Sequence, residues 1–444
     1  MRPNLNLTKA TLTGALGGLL FGFDTIVISG AIDALVRLYG LSPQNKGLTV
    51  AIGLIGTVVG ALGAGVVGQK LGGRETLRIT AVLYVVSAVG CGLAWSWPSF
   101  MFFRFIGGLG IGASSVLGPV YIAELAPAKW RGRLVSAFQL NVVFGILVAY
   151  TSNYLIRLMH LGATEWRWQV GIAAIPAVAF LALLFNIPRS PRWSVARNRN
   201  AEALEVLKLM GEPEPEAALA DIQSALAEEH VTAHEPVFRW KYRYPLFLAI
   251  SIGAFNQLAG INAILYYLNN IFAAAGFSQI SSDQQAIAIG ATNFIFTLVG
   301  MSLIDKLGRK TLLLIGAAGT AACLATVSWL FATNSHPGAL VWVLVTYIAF
   351  FSVSQGAVIW VYIGEVFPNA VRSKGQGVGS ASHWFMNAAI ALEFPVVVHS
   401  MSTATPFTFF AIMTVVQFMV VLFVYPETKG QTLEALQRKL MRAE

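Results

Sequence analysis

Apolar residues run in long blocks along almost the whole chain, and polar residues gather between the blocks. Each block holds roughly 20 residues, the length that an α-helix needs to cross the hydrocarbon core of a bilayer. Apolar and polar residues do not alternate, as they would in the strands of a membrane β-barrel. A backbone in lipid must satisfy its polar groups within the segment, so the blocks predict an all-α membrane protein. The predicted transmembrane helices, spans one to twelve in chain order, are 8–33, 47–69, 77–97, 99–125, 133–157, 167–187, 244–274, 285–305, 311–332, 339–367, 375–401 and 405–425.

The composition agrees with a membrane protein. Only 11% of the 444 residues are charged and 56% are hydrophobic, and the mean hydropathy is +0.66, whereas a soluble domain carries about a quarter charged residues. The first block has no small-residue cleavage site and contains Asp24, so it is predicted to be a span of the mature protein rather than a signal peptide. Cys91 and Cys323 fall inside predicted spans and imply neither a disulfide framework nor a zinc site.

The distribution of Lys and Arg predicts the orientation. With the amino terminus inside, 25 of the 30 basic residues lie in inner loops and tails, and Arg104 lies within a span. The outer loops hold only Arg37, Lys46, Arg157 and Arg167. This positive-inside pattern predicts a multi-pass protein of the plasma (inner) membrane with both termini cytoplasmic. Contact with anionic lipid then accounts for the net charge of +9, and no nucleic-acid partner is expected.

The chain contains an internal repeat. Six spans precede a polar stretch with the pattern of short amphipathic helices, such as 201–210, and six follow it. Three inner motifs of the first half recur in the second at nearly the same offset: Gln69–Arg74 with Asp305–Lys310, Glu124–Arg131 with Glu365–Arg372, and Pro188–Arg192 with Pro426–Gly430. A duplicated six-span unit places a substrate site at the interface of its halves. The predicted domains are an N-terminal six-helix bundle (1–187), a cytoplasmic helical linker (188–243), a C-terminal six-helix bundle (244–425) and a cytoplasmic tail (426–444).

Several motifs carry a family resemblance. They are Gly22-Phe23-Asp24 in span one, Tyr121 to Pro127 followed by Arg131-Gly132, Gln257 with Gly260-Ile261-Asn262 in span seven, and Pro426 to Gly430. In this order and topology, they resemble the sugar porter branch of the major facilitator superfamily over essentially the whole chain. The resemblance implies two pseudo-symmetric six-helix bundles. It also implies a function similar to that of bacterial proton-coupled xylose and glucose symporters or facilitative glucose transporters.

Amide and aromatic side chains at membrane depth suit a sugar, which presents hydroxyls and apolar ring faces. The predicted substrate-binding residues are Gln139, Asn256, Gln257, Asn262, Asn293, Gly356, Trp360, His383, Trp384 and Asn387. Gly260 would permit a local break in span seven. The alternative is that these groups only hold helices together. The resemblance implies that most of them line the sugar site, although Asn256, His383 and Ala357 depart from the usual family residues and leave the particular sugar open.

Asp24 and Arg104 are predicted to form a proton-coupling pair. An ionised carboxylate in hydrocarbon is costly unless it is paired or protonated, and the two residues lie at similar depths in spans one and four. A transport cycle that changes burial or pairing would load and release a proton. The resemblance adds that proton-coupled sugar porters have this aspartate and arginine, whereas facilitative carriers usually have asparagine at the first position. The alternative is a static buried ion pair.

Charged residues in mirrored positions at the inner span ends are predicted to form a cytoplasmic gate. They are Arg74, Glu124, Arg131, Asp305, Arg309, Glu365 and Arg372. The alternative is ordinary positive-inside charge and helix capping. Gln69, Gly73 and Arg189 depart from the family pattern, which predicts a weaker or rearranged inner latch that favours inward-open states. Glu393 is an unexpected second carboxylate, and the sequence leaves open whether it is protonated, reaches the outer interface, binds a sugar hydroxyl or carries a proton.

The sequence offers little support for an enzyme. The spans contain no H-x-x-x-H pair, and neither a G-x-S-x-G motif nor a Gly-Lys-Ser/Thr phosphate loop occurs. No cofactor and no metal are expected. We therefore predict a secondary transporter that imports a monosaccharide by proton symport and works as a monomer. The alternatives are a facilitative uniporter and a transporter-like sugar sensor, which would usually have a longer cytoplasmic tail.

Overall fold

The computed structural model describes residues 4–232, 235–368 and 371–430, and within these ranges it contains helices and no strand. Twelve helices are long and apolar enough to cross a membrane, which confirms the predicted number of spans. Nine spans are single helices: Leu5–Tyr39, Pro43–Leu71, Gly73–Gly92, Trp97–Leu125, Ala128–Leu158, Gln279–Leu307, Arg309–Thr333, Arg372–Ser400 and Ala404–Phe423.

Spans six, seven and ten are built from shorter pieces. Span six consists of Glu165–Gly171 and Ala174–Leu183, and span seven of Arg243–Leu258, Ile261–Tyr266 and Leu268–Ala274. Span ten consists of Pro337–Phe351, a π-helical turn at Ser352–Gly356, and Ala357–Glu365. Gly260 has a φ of 83°, a left-handed conformation that favours glycine, so the break expected in span seven is confirmed. The π-helical turn was not predicted, and such turns are frequent at functional sites.

The predicted ends of several spans were wrong by several residues. Span one continues to Tyr39, and span eight begins at Gln279. Local stereochemistry sets these ends: Gly40 turns the chain with a φ of 59°, and the Ser278 hydroxyl accepts a hydrogen bond from the backbone N–H of Ser281. Hydropathy indicates where the hydrocarbon ends, whereas a helix continues until a residue caps it.

The polar stretch after span six forms short helices, as predicted. They are Pro191–Ala196, Asn200–Met210 and Pro215–Thr232. The second ends at Gly211, which is left-handed with a φ of 77°. Its apolar side chains Val206 and Met210 pack into a core with residues of spans one, three, four and six. This linker helix therefore packs on the first six spans.

The described residues fall into two compact units. The first takes those within Met1–Val27, Ile55–Ser152 and His160–His234, and the second those within Ile28–Leu54, Asn153–Met159 and Glu235–Glu444. Spans one, two and five each contribute to both units. The predicted division into two bundles, a linker and a tail remains a prediction, and residues 431–444 of the tail lie outside the described residues.

Glycine allows close contact between helices within each unit. In the first unit, a Cβ atom on Gly22 would overlap the carbonyl oxygen of Val142, so spans one and five approach each other backbone to backbone. In the second unit, a Cβ atom on Gly253 would lie 2.6 Å from the carbonyl oxygen of Gly379. Small residues commonly mediate such contacts in membranes. The second contact brings span seven against span eleven, and both helices carry predicted site residues.

Candidate functional site

Four predicted site residues form a hydrogen-bonded group around the break in span seven. Gln257 precedes Gly260, and its amide Nε2 donates to Asn256 Oδ1 at 3.0 Å. Asn262 follows the break and donates from Nδ2 to Gln257 Oε1 at 3.1 Å. Both ring nitrogens of His383, on span eleven, lie 3.3 Å from Gln257 Nε2. The break therefore allows amides from both sides of Gly260 to bond each other, and one of them, Gln257, contacts span eleven.

Aromatic rings border this amide group. The His383 ring centroid lies 5.1 Å from that of Trp360 on span ten and 5.0 Å from that of Trp384. Trp384 is buried, whereas 37% of the surface of Trp360 is exposed. An aromatic plane beside amides can pack against the C–H face of a sugar while the amides bond its hydroxyls.

Asn387 is bonded to a residue that the sequence did not indicate. Its Nδ2 donates to the hydroxyl of Tyr266 at 3.1 Å. The Asn387 Oδ1 atom is buried, and none of the described residues donates a hydrogen bond to it. A buried acceptor without a donor is costly unless a ligand or water supplies one. The group therefore offers an acceptor to a hydroxyl-bearing ligand.

Asn293 and Gly356 lie at the π-helical turn of span ten. The Ser352 hydroxyl donates to Asn293 Oδ1 at 2.9 Å, and Thr297 Oγ1 lies 3.5 Å from the same atom. Gly356 is the last residue of the turn. The described hydrogen bonds of Asn293 thus support span ten and do not reach the amides around Gln257.

Gln139 belongs to the first compact unit. It is half-buried on the helix Ala128–Leu158. Its predicted role in binding substrate remains a prediction, as do the roles of the residues in the second unit.

Asp24 and Arg104 form a buried ion pair in the first unit. Arg104 Nη1 donates to Asp24 Oδ2 at 3.2 Å and to the Asp24 carbonyl oxygen at 3.0 Å. The Arg104 and Asp24 side chains are only 4% and 8% exposed. The contact expected from their similar depths is therefore confirmed. Removing one partner of such a pair leaves an uncompensated buried charge, at a cost of about 3–5 kcal/mol.

Small and hydroxyl-bearing residues surround this pair. A Cβ atom on Gly107 would lie 3.3 Å from Asp24 Oδ2, so the glycine leaves room for the carboxylate. The same atom would overlap the buried Ser87 hydroxyl, and the buried Nε atom of Arg104 has no hydrogen-bond partner among the described residues. An unused hydrogen-bonding atom thus remains near the Asp24 carboxylate. A polar surrounding of this kind suits a group that changes its protonation state.

Comparison with known proteins identifies the family of this chain. The sequence model of the family described as "Sugar (and other) transporter" matches residues 10–440. The chain belongs to the sugar porter family of the major facilitator superfamily. The resemblance inferred from the motifs is therefore confirmed, and this sugar porter is a multi-pass membrane protein of a transporter family.

Individual relatives cover nearly the whole chain. The arabinose-proton symporter of Bacillus subtilis (strain 168) is 35% identical over 456 residues, covering 99% of this chain and 98% of that protein. The glucose facilitated diffusion protein of Zymomonas mobilis is 32% identical over 464 residues, covering 97% of each. The xylose transporter XylE from E. coli, in a partially occluded inward-open conformation, matches with a TM-score of 0.87 and 32% identity, covering 97% of this chain and 100% of that one. The predicted major facilitator fold is thereby confirmed.

Three predicted gate residues of this sugar porter meet in the second unit. Arg309 donates to both oxygens of Glu365, at 2.8 Å from Nη2 and 3.2 Å from Nε. Its Nη1 atom donates to Asp305 Oδ1 at 3.0 Å, and the Thr428 hydroxyl donates to Glu365 Oε2 at 2.6 Å. A two-point arginine–carboxylate contact fixes geometry as well as charge. The beginning of span nine is thus tied to the end of span ten and to the segment after span twelve.

In the first unit, arginine side chains gather around Glu75, a residue that the motifs did not indicate. Glu75 accepts from Arg74 at 2.7 Å and from Arg78 at 2.9 Å. Arg189 lies 3.8 Å from Glu75 and 4.0 Å from Glu202. The signal was present, because Glu75 is the only acidic residue in the first turn of span three. Arg189 therefore lies beside carboxylates, and the predicted preference for inward-open states remains a prediction.

Two other predicted gate residues, Arg131 and Arg372, contact backbone atoms near their own span ends. Arg131 Nε donates to the Ala123 carbonyl oxygen at 3.1 Å, and Arg372 Nε donates to the Phe367 carbonyl oxygen at 3.3 Å. Glu124 is half-buried at the end of span four. The two arginines thus hold mirrored loops after spans four and ten, while their gating role stays a prediction.

The Glu393 side chain is exposed on span eleven, and its function stays open. Within residues 4–232, 235–368 and 371–430, no group of three or more His, Cys, Asp or Glu residues could hold a metal ion.

Proposed function

We propose that this sugar porter imports a monosaccharide, a hexose or a pentose, by proton symport through alternating access. The buried pair of Asp24 and Arg104 is the observation that carries the symport proposal. Family membership supports sugar transport in general, and a relative named for arabinose–proton symport supports the coupling.

Asp24 is the proposed proton carrier, and Arg104 controls its charge. While Asp24 is ionised, the adjacent guanidinium stabilises the carboxylate, whereas burial favours the protonated form. A conformational change that separates the pair or admits water shifts this balance and changes the proton occupancy. Because binding and conformation are linked, a state that holds a proton more tightly is in turn favoured by protonation.

The sugar is proposed to bind at the amide and aromatic group of spans seven, ten and eleven. Gln257, Asn262 and His383 supply donors and acceptors, Asn387 supplies its unused oxygen, and Trp360 supplies a ring face. Asn256, Trp384, Asn293 and Gly356 support or border this group. Gln139, on the helix Ala128–Leu158, remains a further predicted substrate-binding residue. The exposed face of Trp360 supports access for a ligand.

The cytoplasmic gate is proposed to consist of the two inner charge groups. Asp305, Arg309 and Glu365 hold together the inner ends of their unit, and Arg74, Glu124, Arg131 and Arg372 serve the mirrored loops. We place the protein in the plasma membrane with both termini cytoplasmic and expect the monomer to be the transporting unit, as the positive-inside distribution and the duplicated bundle suggest.

Facilitated diffusion is the second candidate. The match to a protein named for facilitated diffusion of glucose supports it. The two candidates differ in whether Asp24 changes its charge during the cycle. A uniporter would keep the Asp24–Arg104 pair as a static structural contact.

Uptake into proteoliposomes tests the proposal. Labelled pentoses and hexoses are added with and without an imposed pH gradient, acid outside. We expect at least one sugar to accumulate above its external concentration only with the gradient. Equilibration without accumulation would favour the uniporter, and failure of every monosaccharide would overturn the substrate class.

A further inference from the structure

A buried ion pair joins the predicted outer ends of spans five and eight. Arg157 Nε donates to Asp283 Oδ2, and Asn269 Nδ2 donates to Asp283 Oδ1 at 2.7 Å. Arg157 Nη1 also lies 3.3 Å from Gln279 Oε1, and Nη2 lies 3.5 Å from the Gly30 carbonyl oxygen. The Asp283 side chain is 2% exposed and that of Arg157 is 13% exposed. One arginine thus connects spans one, five and eight.

A second polar contact joins the outer parts of spans one, two and seven. Asp33 accepts from Asn270 Nδ2 with both oxygens, at 2.7 and 2.8 Å. Lys46 Nζ lies 3.2 Å from Asp33 Oδ1 and 5.9 Å from the centre of the Tyr267 ring. Asn270 and Asn269 are adjacent, so the two contacts share one turn of the helix Leu268–Ala274.

These contacts have a common organisation. Asp33, Lys46 and Arg157 lie in the segments Ile28–Leu54 and Asn153–Met159, which belong to the second compact unit although the rest of spans one, two and five belongs to the first. Their partners lie on spans seven and eight. The contacts therefore fasten the outer ends of three helices from the first half to two helices from the second half.

We propose that these residues form an outer latch, which must open before a sugar can bind from outside. The outer latch comprises Asp33, Lys46, Arg157, Asn269, Asn270 and Asp283. It rests on the proposed alternating-access function, because only such a cycle requires the outer segments to separate from spans seven and eight. The inner charges of the family motifs take no part in it.

The burial of the pair explains why the outer latch acts as a two-state device. Breaking the Arg157–Asp283 contact inside protein would leave two buried charges without compensation. The contact therefore opens only in a state that brings water to both groups, which is an outward-open state. Neutralising one partner removes the contact from the closed state alone and shifts the equilibrium toward outward-open.

Thiol labelling from outside tests the outer latch without using sugar. Cys91→Ala and Cys323→Ala remove the native thiols, and Ser29→Cys supplies a reporter next to Gly30. Ser29 is 2% exposed, and its hydroxyl has no hydrogen-bond partner among the described residues, so the replacement is nearly isosteric. A membrane-impermeant maleimide is added to intact cells, and the labelling rate is measured.

We expect Asp283→Asn and Lys46→Met each to raise the labelling rate by roughly tenfold, a shift typical of two-state coupling. The exchange Arg157→Asp with Asp283→Arg should return the rate toward that of the parent. Glu216→Gln is the matched control, because it removes an acid from the exposed Lys208–Glu216 pair of the linker and should leave the rate unchanged.

Unchanged labelling in both Asp283→Asn and Lys46→Met would overturn the proposal, provided that both variants elute as a monodisperse peak in detergent. If only one variant fails to fold, the other decides. A wild-type protein that transports no sugar would refute the proposed function, whereas a rise in labelling would still support the outer latch. The two failures are therefore distinguishable.

Discussion

At the scale of single residues, Asp24 has an unusual position. It is an acid in the middle of an apolar helix, and its compensation is one guanidinium and the neighbouring polar atoms. A single neutral isostere therefore changes the charge balance of the buried site without changing its shape.

Asp24→Asn is expected to abolish uphill accumulation while retaining sugar exchange. The amide cannot carry a proton, but it keeps a group that can contact Arg104. Accumulation under a pH gradient and exchange at equal pH are measured in the same proteoliposomes. Asp221→Asn, at an exposed position of the linker, is the control. If accumulation persists in Asp24→Asn, the Asp24–Arg104 pair is a static structural contact and not a proton carrier.

His383 is expected to position Gln257 and to affect substrate affinity. Replacement by alanine removes the ring that lies 3.3 Å from the Gln257 amide and should raise KM by about tenfold, with a smaller change in the maximal rate. His383→Gln keeps a hydrogen-bonding group and should retain a KM within about threefold of the parent. An unchanged KM in the alanine variant would show that His383 is not part of the substrate site.

At the scale of elements, the break in span seven organises the amide group. Gly260 is left-handed, and a Cβ atom there would overlap the Phe410 ring of span twelve. Gly276, at the end of the same span, is also left-handed with a φ of 89°, but a Cβ atom there would meet nothing within 4 Å. Comparing substitutions at these two glycines therefore distinguishes the effect of backbone strain from the effect of steric overlap.

Gly260→Ala should lower the thermal unfolding temperature and the transport rate more than Gly276→Ala does. Both substitutions add left-handed strain of about 1–2 kcal/mol, and only the first adds overlap. Differential scanning fluorimetry in detergent and initial uptake rates measure the effects. Phe410→Leu combined with Gly260→Ala should recover part of the loss. Equal effects of both alanines would mean that the Phe410 contact is unimportant.

Glu427 caps the first turn of span nine. Its carboxylate accepts hydrogen bonds from the backbone N–H groups of Arg309 and Lys310, at 2.9 and 3.0 Å, and from those of Thr428 and Lys429. Partial burial raises the pKa of Glu427, but the four backbone donors outweigh it and hold this pKa below the usual value of 4.5. A carboxylate at a helix N-terminus is also favoured by the helix dipole.

This cap predicts a pH-dependent contribution to stability. Because the pKa is lowered in the folded state, the stabilisation is present above pH 4.5 and is lost as the pH falls further, through the folded-state pKa. Glu427→Gln should therefore lower the unfolding temperature at neutral pH, and its difference from the parent should shrink below about pH 4.5. Glu205→Gln, exposed on the linker, is the control. A difference that does not change with pH would assign the effect to packing rather than charge.

At the scale of the whole molecule, much of the fold follows from the sequence because lipid imposes a simple rule. Every span must be apolar and internally hydrogen-bonded, so hydropathy alone indicates the twelve helices. Their capped ends depend on single residues such as Gly40 and Ser278, which hydropathy does not weigh. The Asp24–Arg104 contact was predictable, since topology fixes the depth of each charge.

Other contacts between distant segments could not be derived from the sequence. Arg157 and Asp283 lie 126 positions apart, and neither belongs to a motif of the resemblance. Likewise, Asn387 was expected in the site but its partner Tyr266 was not. Side-chain partners depend on helix rotation and tilt, which are set by packing rather than by hydropathy. The available signal for Arg157 was its predicted position on the outer side, against the positive-inside pattern.

The central claim is that sugar and protons cross together and that Asp24 carries the proton. The most direct measurement is internal pH in proteoliposomes, followed with a trapped pH-sensitive dye when a transported sugar is added outside. We predict sugar-evoked internal acidification in the wild-type protein and none in Asp24→Asn, although that variant still exchanges sugar. Wild-type sugar uptake without acidification, or acidification that persists in Asp24→Asn, would contradict the account.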